Sequence, residues 1–392
     1  MPLVTIIIPT HDRQDYALVA ARKIMEVMPS AQLVVSDTSA DPRLAAMIAD
    51  LGIEGVEYVR PDGPMDVVSH FEFALGFARG RYVMFLGDDD CIGPGLEEVA
   101  AWADRHGVDA VLSYGAKFNA LYYWPGVTSR YYGTGYASRL FVHHFSGKAR
   151  RIDPERARRD VLRDLGRGLG DMPRIYHGLV SRQLIAKVRD RFGCLFGGVS
   201  PDIYSATLLS ELADRVWMVD FPFCLPGGSP ASTAGSGAAN TDRTSLAQHP
   251  HTAAFADLRW DPLVPAFYAP YIVWSYSLKK AVDRLGRSDL HPNFARIYAL
   301  SMMKHRAQRG AITDAVTTAR ADGLAAGRGS IAWEIAREML FQIKRYGTRI
   351  LSPKAGGGAE RFDGLQDIAA AYDRLQRHID DHSIRLQLPN SS

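Results

Sequence analysis

The sequence predicts an α/β fold, in which a mostly parallel, Rossmann-like sheet is flanked by helices and followed by a mainly helical C-terminal region. Strand-like and helix-like stretches alternate through residues 1–118. The strand-like stretches are short and almost wholly apolar, as is typical of parallel sheets that are buried on both faces. From about residue 250 onward, the apolar residues recur mostly at helical spacing.

Five strands and four helices are expected in residues 1–118. The strands are runs rich in Val, Ile, Leu, Tyr and Phe, and they cover 3–10, 31–37, 56–61, 81–88 and 109–118. The helices have apolar residues three and four positions apart, and they cover 15–28, 41–52, 65–80 and 94–107. Because such units place their strands in parallel, the carboxyl ends, where ligands bind, meet at one edge of the sheet.

The chain beyond residue 118 is less regular. Residues 119–150 predict an excursion of loops and strands. The later signals are a charged helix over 153–168, a strand and helix over 174–193, a helix over 200–213 and a strand pair over 214–227. Residues 227–245 are small, polar and glycine-rich, and they predict either a connector or a lid that orders on a ligand.

We expect a first domain over residues 1–226, with halves at about 1–118 and 119–226, then a flexible loop over 227–249 and a mainly helical domain over 250–392. A composition of 47% apolar and 23% charged residues is ordinary for a globular protein, and a net charge of +3 argues against nucleic-acid binding. The three widely spaced cysteines suggest a reducing compartment, and no stretch is apolar enough to span a bilayer. We therefore expect a cytoplasmic protein, with peripheral contact at the inner face of a membrane left open.

Three consecutive aspartates stand out at the end of the strand over 81–88. Asp88, Asp89 and Asp90 follow a wholly apolar run, at the same sheet edge as the loops over 10–13 and 36–38. Such a cluster is either an aspartate-rich turn or a site for a hard divalent cation, which prefers oxygen ligands. A cation would relieve the repulsion between the carboxylates and neutralise a diphosphate leaving group. We favour the cation.

Three segments together resemble the family 2 glycosyltransferases of the GT-A fold: VTIIIPTHDR (4–13), LVVSDTSAD (33–41) and FALGFARGRYVMFLGDDDCIGPG (73–95). The resemblance covers residues 1–115 well and residues 170–225 more loosely. It implies a GT-A type sheet, a nucleotide-sugar donor with a UDP-sugar as the first candidate, Mn²⁺ or Mg²⁺ as the cofactor, and sugar transfer with inversion. The donor would bind to the first half of the domain and the acceptor to the second.

The aspartate motif departs from the family at one position. Counted back from Pro94, the family's first aspartate falls on Gly87 and its second on Asp89. The resemblance therefore implies Asp89 as the principal metal ligand, Asp90 as its support, and Asp88 as a residue that faces the ribose. By spelling alone, residues 88–90 also form an Asp-x-Asp motif, so the assignment among the three stays open.

The resemblance implies further site residues. Those expected around the donor nucleotide are Pro9, Thr10, Asp12, Arg13, Asp37 and His70. Asp37 is also a common turn residue, and a lone His70 is also a common packed one. Asp202, in the first turn of a helix, is the expected general base that deprotonates the acceptor hydroxyl, although an aspartate there also suits the helix dipole.

Two smaller groups complete the expected site. Tyr176 and His177 would line the acceptor pocket, where His177 could equally be a packed core residue. Ser232, Arg243 and His249 would contact phosphate from a closing loop, unless that stretch is a plain linker.

These inferences lead to a metal-dependent inverting transferase that acts on a glycan or lipid-linked acceptor in surface polysaccharide biosynthesis. One alternative is an inactive scaffold or binding subunit of a glycan-assembly complex, for which the departure at Gly87 would account. A sugar-nucleotide nucleotidyltransferase is less favoured, because no glycine-rich loop with Arg and Lys opens the chain. The helix predicted over 331–354 either packs on the protein or on a second copy of it, or lies at a membrane surface.

Overall fold

The structure is a computed structural model that describes residues 1–115, 117–129, 131–232, 245–324, 326–351 and 355–390. Its strands, in chain order, are β1 Val4–Thr10, β2 Gln32–Asp37, β3 Val56–Val59, β4 Tyr82–Phe85, β5 Cys91–Ile92, β6 Ala110–Leu112, β7 Ala120–Tyr123, β8 Arg139–Val142, β9 Ala149–Ile152, β10 Gly178–Ser181, β11 Val216–Val219, β12 Cys224–Leu225, β13 Gly227–Gly228 and β14 Glu360–Phe362. Most strands therefore lie in the first 230 residues.

The helices surround these strands and dominate the C-terminal part of the chain. In chain order they are α1 Gln14–Val27, α2 Leu44–Asp50, α3 Val67–Leu75, α4 Leu96–Arg105, α5 Pro154–Arg163, α6 Arg182–Phe192, α7 Pro201–Leu212, α8 Pro250–Ala253, α9 Pro270–Leu285, α10 Phe294–Lys304, α11 Arg309–Ala321, α12 Arg328–Leu351 and α13 Ile368–Asp381. A 3₁₀ turn, Arg306–Gln308, joins α10 to α11.

An eight-stranded sheet in the order β3-β2-β1-β4-β10-β6-β11-β9 forms the centre of the protein. Strands β1 to β4 run parallel, and so do β6 and β11. Strand β10 is antiparallel to both of its neighbours, β4 and β6, and β9 is an antiparallel edge strand. The predicted fold class, a mostly parallel sheet flanked by helices with a mainly helical C-terminal region, is confirmed.

The first strands are buried on both faces, which is why their sequences are continuous apolar runs instead of alternating ones. All seven residues of β1 and all six of β2 are buried. The parallel register pairs Thr10 with Asp37, so β1 and β2 end at the same level. Strand β4 pairs with β1 on the other side, and Asp88 follows it after Leu86 and Gly87. The three carboxyl ends therefore meet at one edge.

Two hydrophobic cores lie against the sheet, and the C-terminal region contributes to both. One core joins Leu208 of α7 to Tyr276 of α9 and Ile297 of α10. The other joins Ile24 of α1 to Leu375 of α13. Strand β14 also pairs with β8 in a four-stranded sheet. The boundary expected at residue 250 stays a prediction, and the described residues on its two sides share their cores.

Helix α3 carries a buried histidine against the end of β2. The helix begins after Asp66, whose side chain accepts hydrogen bonds from two backbone N–H groups of the first turn. His70 Nε2 lies 2.9 Å from Ser36 Oγ. Burial lowers the pKa of His70 to about 4, a shift that the nearby His11 reinforces and the carboxylate of Asp37 opposes. His70 is therefore neutral at pH 7.

We expect Leu375→Ala to lower the free energy of unfolding by about 3 kcal/mol, because the side chain is fully buried in a core shared with α1. Unfolding in urea, followed by circular dichroism, should remain a single transition. The control is Arg377→Ala, an exposed change on the same helix, which should stay within about 0.5 kcal/mol of the wild type. A separate early transition confined to the C-terminal helices would contradict the shared core.

The buried His70 should make stability fall in acid. The unfolded chain takes up the proton near pH 6.5 and the folded chain only near pH 4, so protonation between these values favours unfolding. Relative to His70→Gln, which cannot titrate, the wild type should lose about 2 kcal/mol of unfolding free energy between pH 8 and pH 5. Denaturant titrations of both proteins at each pH measure this difference. A difference that does not change with pH would show that His70 titrates normally.

Candidate active site at the carboxyl edge of the sheet

The three aspartates form a buried turn directly after β4. Their exposed fractions are 1% for Asp88, 4% for Asp89 and 2% for Asp90. The backbone N–H of Asp90 donates to the carbonyl of Gly87 at 3.1 Å and closes the turn. Because burying three carboxylates is costly, each of them needs compensating partners. The partners differ from one aspartate to the next.

Asp88 is paired with groups from the end of β1. Thr10 Oγ1 donates to Asp88 Oδ2 at 2.9 Å, and Arg13 Nε donates to the same oxygen at 3.0 Å. A second guanidinium nitrogen of Arg13 lies 2.5 Å from Asp88 Oδ1. Burial raises the pKa of Asp88 to about 7, and the charge of Arg13 acts against this rise. Burial acts to lower the pKa of Arg13, but the carboxylates of Asp88 and Asp89 outweigh it and raise the pKa, so the guanidinium remains charged.

Asp89 has one oxygen to spare. Its Oδ2 accepts a hydrogen bond from the backbone N–H of Ser229 at 2.8 Å and lies 3.8 Å from Arg13 Nη1. Its backbone carbonyl accepts from Trp124 Nε1 at 2.9 Å. Among the residues that the structure describes, no hydrogen-bond donor reaches Asp89 Oδ1. Burial and the charge of Asp90 both raise the pKa of Asp89.

Asp90 receives four donors. At Oδ2 these are the N–H of Gly87 at 2.7 Å, Tyr176 Oη at 3.1 Å and His177 Nε2 at 2.6 Å. At Oδ1 the donor is the N–H of Gly227 at 2.7 Å. Burial acts to raise the pKa of Asp90, but His177 and the N–H donors outweigh it and lower the pKa. Asp90 is thus the ionised centre of the turn. Its supporting role at a metal stays a prediction.

The same contacts account for glycine at position 87. A Cβ atom added to Gly87 would lie 2.6 Å from the hydroxyl of Tyr176 and 2.8 Å from Asp90 Oδ2. Real Cβ atoms essentially never approach other atoms so closely, and both neighbours are held by the hydrogen bond between them. A side chain at this position would therefore break the turn. The departure seen in the sequence at Gly87 has a steric cause.

Two buried residues that the sequence analysis did not single out extend the network behind His177. Tyr114 Oη lies 2.6 Å from His177 Nδ1, and Arg174 donates to the backbone carbonyl of Tyr114 at 2.7 Å. Burial and the charges of Asp90 and Asp202 raise the pKa of Tyr114 well above 10, so it stays neutral. Tyr114 lies two residues after β6, at the carboxyl edge of the sheet, and this position in the sequence could have identified it as a site residue.

The remaining residues expected around a nucleotide lie at the same edge, with varied exposure. Pro9 is buried in β1. Asp37 is fully buried, and it accepts hydrogen bonds from the Ser39 N–H at 2.8 Å and from Tyr58 Oη at 3.0 Å. Asp12 is exposed, has a left-handed backbone with φ 54°, and accepts from the N–H of Ala40 at 3.0 Å. His70 is buried under β2. Asp37 and His70 therefore have structural contacts whatever else they bind.

Asp202 lies in the first turn of α7, where its Oδ1 accepts hydrogen bonds from Ser200 Oγ at 2.6 Å and from the N–H of Ile203 at 2.8 Å. In the described part of the chain, no donor contacts its Oδ2. The charge of Asp202 contributes to the rise in the pKa of Tyr114 and acts against the lowering of the pKa of Arg174. Its role as a general base stays a prediction.

The expected loop residues are placed differently from one another. Ser232 is buried and donates to the carbonyl of Ser229, the residue that binds Asp89. His249 caps α8 and stacks on Tyr268, with 3.2 Å between ring centroids. Arg243 lies outside the described residues. Ser229, Gly227 and Trp124 contact the aspartates from distant parts of the sequence, and no local pattern marked them as a group.

Glycosyltransferases are among the solved structures that match this chain at low identity. TarS 1–349 of S. aureus in complex with UDP-GlcNAc is 15% identical over 83% of this chain and 93% of that one, with a TM-score of 0.41. The mannosyltransferase PcManGT of Pyrobaculum calidifontis, in complex with GDP-Man and Mn²⁺, is 14% identical over 97% of this chain and 88% of that one, with a TM-score of 0.40. A longer S. aureus TarS chain is 17% identical over 59% of this chain and 37% of that one, with a TM-score of 0.39. This chain therefore spans little more than a third of the length of that relative. No curated protein matches the chain.

A family comparison is more direct. The model described as "Glycosyl transferase family 2" matches residues 5–165. That range includes β1 to β9, the loop with Arg13 and all three aspartates. The part of the chain that carries the three sequence motifs, residues 5–165, thus matches the model of the family that those motifs resemble.

Proposed function

We propose that the protein is an inverting glycosyltransferase that moves a sugar from a nucleoside-diphosphate sugar to a glycan or lipid-linked acceptor with the help of Mn²⁺ or Mg²⁺. The family match supports the reaction class. The observation that carries the proposal is the carboxylate of Asp89, which is almost fully buried at the sheet edge and has one oxygen without a donor among the described residues. The nucleoside-diphosphate-sugar donor and the acceptor class are inferred from the family resemblance.

The aspartate turn suits a hard divalent cation. Mg²⁺ and Mn²⁺ take oxygen ligands, often one or two carboxylates together with substrate phosphates. Asp89 would hold the ion through Oδ1, with Asp88 beside it. A bound cation would neutralise negative charge on the departing nucleoside diphosphate. Arg13, whose side chain is 24% exposed, is a second positive group that can contact a phosphate.

Asp202 is the proposed general base. Its Oδ2 is available, and the charge of the carboxylate reaches the same Tyr114 that contacts His177. In a single displacement, the acceptor hydroxyl oxygen forms a bond to the anomeric carbon as the bond from that carbon to the diphosphate oxygen breaks. Asp202 takes the hydroxyl proton, and the configuration at the anomeric carbon inverts. Tyr176 and His177 would position the acceptor, since both are fixed by Asp90.

Helix α12 supports a further part of the proposal, contact with a membrane surface. Its buried side holds Glu334 and Glu338, which pair with the fully buried Arg296 of α10 at 3.2 and 2.5 Å. Its outer side exposes Trp333 at 70% and Leu340 at 68%, together with Ile343 and Met339. Such an exposed apolar stripe is unusual on a monomer. Within the described residues, no helix is both long and apolar enough to cross a bilayer.

The donor site predicts a metal-dependent thermal shift. One of UDP, GDP or dTDP, with Mn²⁺ or Mg²⁺, should stabilise the protein by about 2.7 kcal/mol at a ligand concentration of 100 times Kd, whereas CMP serves as a monophosphate comparison. Asp89→Asn should abolish the metal-dependent part of the shift. The control Asp214→Asn, at a carboxylate that is 86% exposed, should keep it.

The proposed role of Asp202 as general base is tested with the same thermal-shift assay and with an assay of nucleoside-diphosphate release. Asp202→Asn should retain the shift with the stabilising nucleotide but release nucleoside diphosphate from the matching nucleotide sugar about 10²- to 10⁴-fold more slowly in the presence of acceptor. Unchanged release would remove Asp202 from the mechanism. The absence of a shift with every nucleotide would overturn the donor site and favour the scaffold alternative.

Flotation with lipid vesicles tests the exposed stripe of α12. Wild-type protein should float with vesicles that contain anionic phosphatidylglycerol, and the double variant Trp333→Ser and Leu340→Ser should remain in the bottom fraction. The matched control is Leu51→Ser, at an exposed leucine far along the chain from α12. Failure of the wild type to float, combined with a dimer in gel filtration that the double variant loses, would assign the stripe to self-association.

A further inference from the structure

Three side chains of residue types that can bind a metal ion lie close together in the C-terminal part of the chain, far in sequence from the aspartate turn. Glu360 is the first residue of β14, and His378 lies in the last turns of α13. His382 follows four residues after His378, so the two imidazoles project from the same side of the helix. The rings of the two histidines lie 4.3 Å apart between centroids, and one candidate ligand atom from each of the three residues lies within 4.8 Å of the other two.

We propose that Glu360, His378 and His382 form a binding site for a transition-metal ion of the zinc class. Two imidazole nitrogens and one carboxylate oxygen suit Zn²⁺ and similar divalent ions, and they leave a fourth position for water. Ligand atoms around a tetrahedral Zn²⁺ lie roughly 3.3 Å apart, given bonds of about 2.0 Å. The three candidate ligand atoms already lie within 4.8 Å of one another, and side-chain rotations of the exposed Glu360 and His382 would bring them to this spacing.

A buried polar atom points to a ligand at this place. The side chain of His378 is 9% exposed, and its Nδ1 has no hydrogen-bond partner among the residues that the structure describes. Glu360 Oε2 lies 3.5 Å from this nitrogen, too far for a good hydrogen bond but suitable for sharing an ion. An unpartnered buried nitrogen is costly, and a metal ion would compensate it.

The second histidine is oriented for coordination. His382 Nδ1 lies 2.9 Å from the backbone carbonyl of His378, which can only accept, so this nitrogen carries the proton. The lone pair is then on Nε2, and a carbonyl that holds the opposite nitrogen is the usual support of a metal-binding histidine.

A cation and a carboxylate lie beside the cluster. Arg374 stacks on Phe362 at 3.8 Å and lies 3.9 Å from Asp381. A bound ion would fasten α13 to β14. Helix α13 packs on α1 and on β5, the strand that follows Asp90 directly, so the site would hold the C-terminal segment against the base of the aspartate turn.

Zinc titration of the full-length protein after chelator treatment tests the proposal. The wild type should bind one Zn²⁺ per chain, Co²⁺ should give visible absorption bands of a four-coordinate site, and Zn²⁺ should raise the melting temperature. His382→Ala and Glu360→Gln, both at exposed side chains, should weaken binding by at least about tenfold and remove the melting shift, with unchanged melting temperatures in chelator. His291→Ala, an exposed histidine elsewhere, should behave as the wild type.

Two further results test whether Glu360, His378 and His382 form a zinc site that is separate from the aspartate turn. Asp89→Asn should keep the zinc site, which separates this inference from the proposed donor site. Equal zinc affinity in the wild type and His382→Ala, or no zinc binding by the wild type, would overturn the proposal.

Discussion

The carboxylate of Asp90 holds the candidate site together. Its two oxygens receive four donors, from the turn itself, from the two residues before β10 and from Gly227, which is 137 residues away in sequence. A charge buried to this degree is stable only if such donors compensate it, and each donor in turn is held by the charge. The loops that end β4, precede β10 and follow β12 are therefore fixed relative to one another.

The three neighbouring aspartates differ in how their charges are compensated, because the groups around them differ. Asp88 is neutralised by Arg13, and Asp90 by four donors, whereas Asp89 keeps one oxygen without a donor among the described residues. The proposed binding of a cation and a diphosphate would gain from this division, because two of the charges are already balanced and the third is preorganised. Gly87 belongs to the same arrangement, since a side chain there would displace Tyr176 or Asp90.

The C-terminal region surrounds this framework and shares its cores. Helix α9 packs against α7, which carries Asp202, and α13 packs against α1 and β5. Both halves of the proposed reaction thus rest on C-terminal helices. A surface helix usually buries apolar side chains and exposes charged ones, whereas α12 buries Glu334 and Glu338 against Arg296 of α10 and exposes several apolar side chains. The buried ion pairs fix its orientation, which leaves the apolar stripe outward.

The alternation of apolar strands and amphipathic helices was sufficient to predict the parallel sheet and the edge where Thr10, Asp37 and Asp88 meet, because βαβ units place all carboxyl ends together. Local patterns also marked Asp202 at a helix start and the resemblance to family 2. They did not show the antiparallel β10 between β4 and β6, since pairing with distant strands leaves no local periodicity. They could not apportion roles among the three aspartates, because burial and partners such as Ser229 and His177 decide these. The sequence thus determined the fold class and the place of the site, whereas long-range contacts that only tertiary structure creates decided which carboxylate oxygen is left for a ligand.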